Sequence, residues 1–207
     1  MFYRILKILG FLLLKIMFRI EYSGVEKIPE TGALIIAGNH SSYLDGIILG
    51  AMSKRSIHFM AKKELFKNKF LASFFRTLKA FPVDREKPGK SSISMALKIL
   101  KNGNILGIFP EGTRYIESLG KPFYGVGFFS IKSGAPILPV AIHGPSKIAP
   151  KGKYLPRFSK IRVTVGDLIL PPRVYNKKSM KNLAKDVTYK TMDILKTMLN
   201  EIEHKRG

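Results

Sequence analysis

The chain has 207 residues, 45% of them apolar, which fits one domain with a substantial core. It contains no cysteine, so disulfides, thiolate metal sites and a cysteine nucleophile are excluded, and a reducing compartment is indicated. Lysine and arginine total 36 against 14 acidic residues, a formal charge of +22 that attracts nucleic acid, acidic headgroups or phosphorylated substrates.

The first stretch, "MFYRILKILGFLLLKIMFRIEY", is the most apolar. Its longest uncharged run covers only residues 8–14, whereas a membrane span needs about 20 apolar residues. Arg4, Lys7, Lys15 and Arg19 fall within a sector about 120° wide on a helical wheel, and Ile, Leu, Phe and Met occupy the remainder. This pattern predicts a helix over residues 1–22 lying in the interface of the cell membrane at its cytoplasmic face, with its cations on anionic headgroups. A helix packed on its own domain is the competing reading. A cleaved signal peptide is disfavoured by Lys15 and Arg19 and by the missing A-x-A-like site. Residues 23–207 are then a single domain.

Strand-like apolar runs follow at 33–37, 57–61, 80–84, 105–109, 137–142 and 161–165, with helix-period segments at 46–52, 69–78, 91–101 and 126–133. The alternation predicts an α/β layered fold: a mixed, largely parallel twisted sheet flanked by helices. Residues 179–203 predict a long amphipathic helix packed on the domain.

Three strand exits carry chemistry-bearing residues. "GNHSSYLDG" follows the first run, and a short loop there can turn the Asp45 carboxylate onto the His40 imidazole, leaving a base. Asp45 is equally suited to capping the next helix, as is Ser42. "FPEGTRY" presents Glu111 and Arg114 at the same sheet edge, and the Arg fork suits phosphate oxygens. Glu111 is suited to bonding a substrate hydroxyl or holding Arg114. "FPVDRE" adds Arg85. Asn39-His40-Ser41 matches a glycosylation pattern, read here as chance.

Together these blocks resemble the glycerophospholipid acyltransferase family, specifically the 1-acylglycerol-3-phosphate (lysophosphatidic acid) acyltransferases. "NHSSYLD", "FPVDR", "FPEGTR" and "APILPVAI" match its four blocks in order. The resemblance covers roughly residues 20–170. It implies His40 as catalytic base with Asp45 as partner. It also implies an acceptor site drawn from Arg85, Glu111, Gly112, Thr113 and Arg114, with Ser42 beside it. Tyr115 stands where relatives often have Ser. Tyr124 stands where they have Lys, so Lys121 is the candidate replacement for that cation. The reaction implied takes an acyl group from acyl-CoA or acyl-carrier protein to the free hydroxyl of a lysophospholipid at an anionic membrane surface. It needs no other cofactor and no nucleic acid. An enzyme nucleophile is unnecessary, which agrees with the missing G-x-S-x-G elbow.

Rival readings are weaker. Ser41 or Ser42 as a nucleophile is too near His40 in sequence for the geometry. "PGKSS" at 88–92 lacks the first glycine of a P-loop. A non-catalytic basic module for membrane or nucleic acid explains the charge but not three motif-bearing exits. His58, His143 and His204 lack metal-ligand spacing.

Overall fold

The computed structural model describes residues 18–84, 89–115, 118–145, 160–172 and 179–204. Seven strands form one sheet: β1 (Glu21–Ser23), β2 (Leu34–Gly38), β3 (Ile57–Lys62), β4 (Ala80–Val83), β5 (Ile105–Ile108), β6 (Ile137–His143) and β7 (Arg162–Val165). Their spatial order is β1-β7-β6-β2-β5-β3-β4, and only the β6–β7 pairing is antiparallel. The helices are α1 (Asp45–Met52), α2 (Lys69–Thr77), α3 (Lys90–Lys101), α4 (Gly125–Ser133) and α5 (Met180–His204). The mixed, largely parallel sheet flanked by helices is as the alternation predicts.

Burial on both sides explains the apolar runs. In β2 every residue is buried, and successive side chains serve opposite cores. Leu34 and Ile36 pack with Ile48, Leu49 and Met52 of α1. Ile35 and Ala37 pack with Ala96, Ile99 and Leu100 of α3, Val126 and Phe129 of α4, and Val187 of α5. A strand read as half-exposed alternation would not have looked like "ALIIAG".

The connections then place a crevice. From β2 the chain crosses one face through α1 and passes β5 to reach β3. From β5 it crosses the other face through α4 and passes β2 to reach β6. The paths leaving β2 and β5 thus diverge to opposite faces, which opens a gap beyond their carboxyl ends where ligands settle in such sheets.

Two readings need adjustment. The interfacial helix of residues 1–22 lies mostly outside the described residues. Its last residues, Glu21 and Tyr22, are strand, paired parallel with Arg162 and Val163 of β7. An alternating three-residue edge strand is too short to show in periodicity against an apolar neighbour. Residues 89–92 of "PGKSS" begin α3, where the Ser92 hydroxyl donates to the Gly89 carbonyl at 2.9 Å, the ordinary work of a helix start. Among the described residues, no helix is long and apolar enough to cross a membrane.

Candidate active site

His40 sits two residues beyond β2, and its backbone is held from the β5 side by both polar groups. Its N–H donates to Glu111 Oε2 at 2.8 Å, and its carbonyl accepts from the Tyr115 N–H at 2.8 Å. On the β6 side the Asn39 amide imitates a strand residue. Its Nδ2 donates to the Ile142 carbonyl at 2.9 Å, and its Oδ1 accepts from the Ile142 N–H at 2.7 Å. The sheet is in effect extended past β2 by side chains, and the loop carrying the imidazole has little freedom left.

The ring itself is fixed twice. Nδ1 meets Asp45 Oδ2 at 2.9 Å, and the ring stacks on Phe109 with centroids 4.2 Å apart. Asp45 opens α1 as its first helical residue and is fully buried. The same Oδ2 also accepts from the backbone N–H groups of Ser41 at 2.6 Å and Ser42 at 2.8 Å. Capping and histidine-holding are therefore one job: the carboxylate closes the turn and grips the ring together. An ionised acceptor on Nδ1 requires the proton there, which leaves Nε2 as the free lone pair. His40 lines a cavity of about 550 Å³.

That cavity runs between α1 and α2 over β3. Gly46, Ile47, Gly50 and Ala51 line it from α1, Phe59 and Met60 from β3, and Phe74 and Phe75 from α2, with Leu78 just past its end. Its walls are mainly apolar, with His40, Tyr43, Lys62, Thr113 and Arg114 as the polar side chains among them. Gly107 helps to shape it, since a Cβ there would come within 2.4 Å of the Phe59 ring. The Arg114 guanidinium lies over the Tyr43 ring, 3.6 Å from its centroid, and that contact holds the cation at the site.

The predicted residues divide accordingly. His40, Asp45, Thr113 and Arg114 converge. Glu111 does not face an acceptor and does not hold Arg114: it is 2% exposed, and its oxygens take the His40 N–H and, at 3.4 Å, the Gly120 N–H. Burial raises its carboxyl to about 7, the backbone donors oppose this, and the Asp45 charge adds to it. Gly112 supplies the turn at φ 65 and lines a smaller apolar pocket with Phe123 and Phe128. Ser42 is buried, and its hydroxyl accepts from the Leu44 N–H within the turn, so it is not offered to a substrate. Lys121 is exposed near Tyr189 of α5, and it does not line the His40 cavity. Arg85 lies outside the described residues. The Ser41 hydroxyl is buried without a partner, so neither serine is engaged by the imidazole as a nucleophile would be.

Sequence reasoning missed Asn39, Tyr43 and Phe109. Each acts through a contact between distant strands or between loops, and no local pattern marks it. Among the described residues, no group of three histidine or acidic side chains is placed to hold a metal ion.

A buried His–Asp pair thus stands at the switch point of a largely parallel sheet, with an arginine and a mainly apolar cavity beside it. The acyltransferase family model matches residues 19–143, and the chain belongs to that family, as an enzyme. It is 43% identical over 143 residues to the 1-acyl-sn-glycerol-3-phosphate acyltransferase of Bacillus subtilis, covering 69% of each chain. It is 33% identical over 149 residues to the protein of the same name from Streptococcus pneumoniae, covering 70% of this chain and 55% of that one. The crystal structure of the 1-acyl-sn-glycerophosphate (LPA) acyltransferase, PlsC, from Thermotoga maritima superposes with a TM-score of 0.72 at 23% identity. The match covers 93% of this chain and 79% of that one, and it is a likeness of fold.

Proposed function

We propose that the protein acylates the sn-2 hydroxyl of 1-acylglycerol 3-phosphate, drawing on acyl-CoA or acyl-carrier protein and yielding phosphatidic acid. The observation that carries this is the His40–Asp45 contact of 2.9 Å at the head of an apolar cavity. The acceptor oxygen attacks the thioester carbonyl while Nε2 of His40 takes its proton. The tetrahedral intermediate then expels the thiolate, which receives that proton from the imidazolium. One C–O bond forms, one C–S bond breaks, and the proton balance closes without a further cofactor. Asp45 stabilises the imidazolium between the two transfers, and such base catalysis contributes about 10²–10⁴ in rate.

The cavity between α1 and α2 takes the donor's acyl chain, since its lining is mainly apolar and includes the imidazole. Arg114, stacked on Tyr43, takes the acceptor phosphate. An N-terminal amphipathic helix ending before β1 would keep the site at the cytoplasmic surface of an anionic membrane, where acceptor and product reside.

The test is a matrix of two donors and three acceptors: lysophosphatidic acid, glycerol 3-phosphate and an uncharged-headgroup lysolipid. Turnover should be fastest with lysophosphatidic acid. Arg114→Ala should raise its KM about 10- to 100-fold, the worth of a charge-assisted phosphate contact, with a smaller effect on kcat. Equal rates across acceptors, or an unchanged KM, would remove the phosphate assignment.

A further inference from the structure

Of the eleven large apolar or aromatic side chains that the described residues expose, three cluster on α2: Phe70 at 86%, Leu71 at 47% and Phe74 at 45%. Only Ala72 of this helix is buried. The helix is nonetheless well made, because Asn68 caps it by accepting from the N–H groups of Phe70 and Leu71. An apolar face of this kind, left uncovered on a properly capped helix, has an interaction to make.

Charge says with what. Between residues 62 and 79 the chain carries Lys62, Lys63, Lys67, Lys69, Arg76 and Lys79 against Glu64 alone. All six cations are exposed, with Lys62 beside Glu64 and Lys63 paired with Asp84 just beyond the segment. Aromatic and aliphatic side chains ringed by lysines fit an anionic lipid surface, where each basic residue adds about 1 kcal/mol of attraction.

Topology says which way this surface faces. β3 runs parallel to β2, so the end of β3 at Lys62 and the start of α2 lie at the sheet edge that carries His40. β1 begins at that same edge, since Glu21 pairs with Arg162 and Arg162 with His143 at the end of β6. Phe74 is both exposed and part of the cavity wall, so the apolar face continues into the cavity.

We infer that the segment from Lys62 to Lys79 is a membrane-contact element of the domain itself, seating Phe70 and Leu71 among anionic lipids beside the cavity mouth. The contact is separate from any made by residues 1–22. It needs no turnover to be observed, so it stands or falls independently of the proposed reaction.

The chain contains no tryptophan, so Phe70→Trp places a single reporter at a position 86% exposed, where the change leaves the core untouched. Full-length protein is mixed with vesicles of phosphatidylglycerol and phosphatidylcholine, with phosphatidylcholine alone, and with brominated lipid. The expected result is a blue shift and loss of most of the emission to the bromine quencher on anionic vesicles, and little change on neutral ones. Leu170→Trp, 73% exposed beyond β7 at the opposite end of the sheet, should stay unquenched. Lys67→Gln with Lys69→Gln in the Phe70→Trp background should lower the anionic-vesicle partition coefficient about thirtyfold, the equivalent of two lost surface cations. Emission at residue 70 that ignores vesicles while the protein sediments with them would overturn the inference. So would emission that depends on protein concentration alone, which would mark a protein–protein face.

Discussion

The two ends of the cavity are built by opposite means. At the His40 end the loop between β2 and α1 is pinned through the Asn39 amide, the His40 backbone and Asp45 Oδ2, and His40, Asp45 and Glu111 are all buried. At the α2 end one helical residue is buried, and phenylalanines stand in solvent. The first arrangement resists motion, as a proton-transfer site must, because its groups have to be aligned before the substrate arrives. The second leaves room for a flexible chain to find its place, and needs only to be apolar. A reaction joining a demanding head to an undemanding tail suits such a divided cavity.

The His40 end is the more sensitive of the two to substitution. His40→Ala should cost about 10²–10⁴ in kcat, and Asp45→Asn should come close to it, because an amide cannot stabilise the imidazolium and can reverse the ring's tautomer. Asp45→Asn should also destabilise the fold by about 1–3 kcal/mol, since one buried carboxylate oxygen closes the turn through Ser41 and Ser42. Initial rates and thermal melts separate the two effects. An Asp45→Asn protein with full kcat would leave the carboxylate a turn-former only.

A milder change sharpens the view of the apolar end. Gly50 lines the cavity from α1, and nothing lies within 4 Å of a Cβ built there. A Cβ is therefore admitted without a clash, so Gly50→Leu should project its remaining carbons into the cavity, and it should strengthen the helix by about 1 kcal/mol. Donors with long chains should lose severalfold in kcat/KM while short-chain donors keep theirs. A uniform loss would place the chain elsewhere.

The same division explains what the sequence disclosed. Strand exits, their order along the chain and the His40–Asp45 pairing are encoded in local runs, and they are legible because a doubly buried strand is continuously apolar and a loop of four residues has few closures. The partners of the loop are not local. Glu111 looks like a substrate-facing acid from its place after a strand, and only the fold brings its carboxylate to the His40 backbone 71 residues away. Tyr115, a departure from the family's usual residue, is harmless to this clamp for the same reason: its contact with His40 is made by the main chain, which any side chain permits. β1 was hidden because three residues cannot establish a period.

Glu111 offers the subtlest test. Its carboxyl is raised from 4.5 to about 7, chiefly by burial. The folded protein therefore binds this proton more tightly than the unfolded chain does. The stability that comes from the protonated form is complete below about pH 4.5 and is lost as the pH rises through about 7, an amount on the order of 3 kcal/mol. Glu111→Gln removes the titration but keeps a carbonyl to accept the His40 N–H, giving up at most the longer bond from Gly120. Thermal melts from pH 5 to pH 8 should fall for the parent protein and run flatter for the variant, with the two curves closing or crossing near the alkaline end. Turnover at pH 8 should survive the exchange within a fewfold, because the His40 backbone stays clamped. Parallel melting curves would mean that the carboxylate ionises as if exposed, and a collapse of turnover with an intact fold would mean that its charge, and not its grip on the loop, is what the imidazole requires.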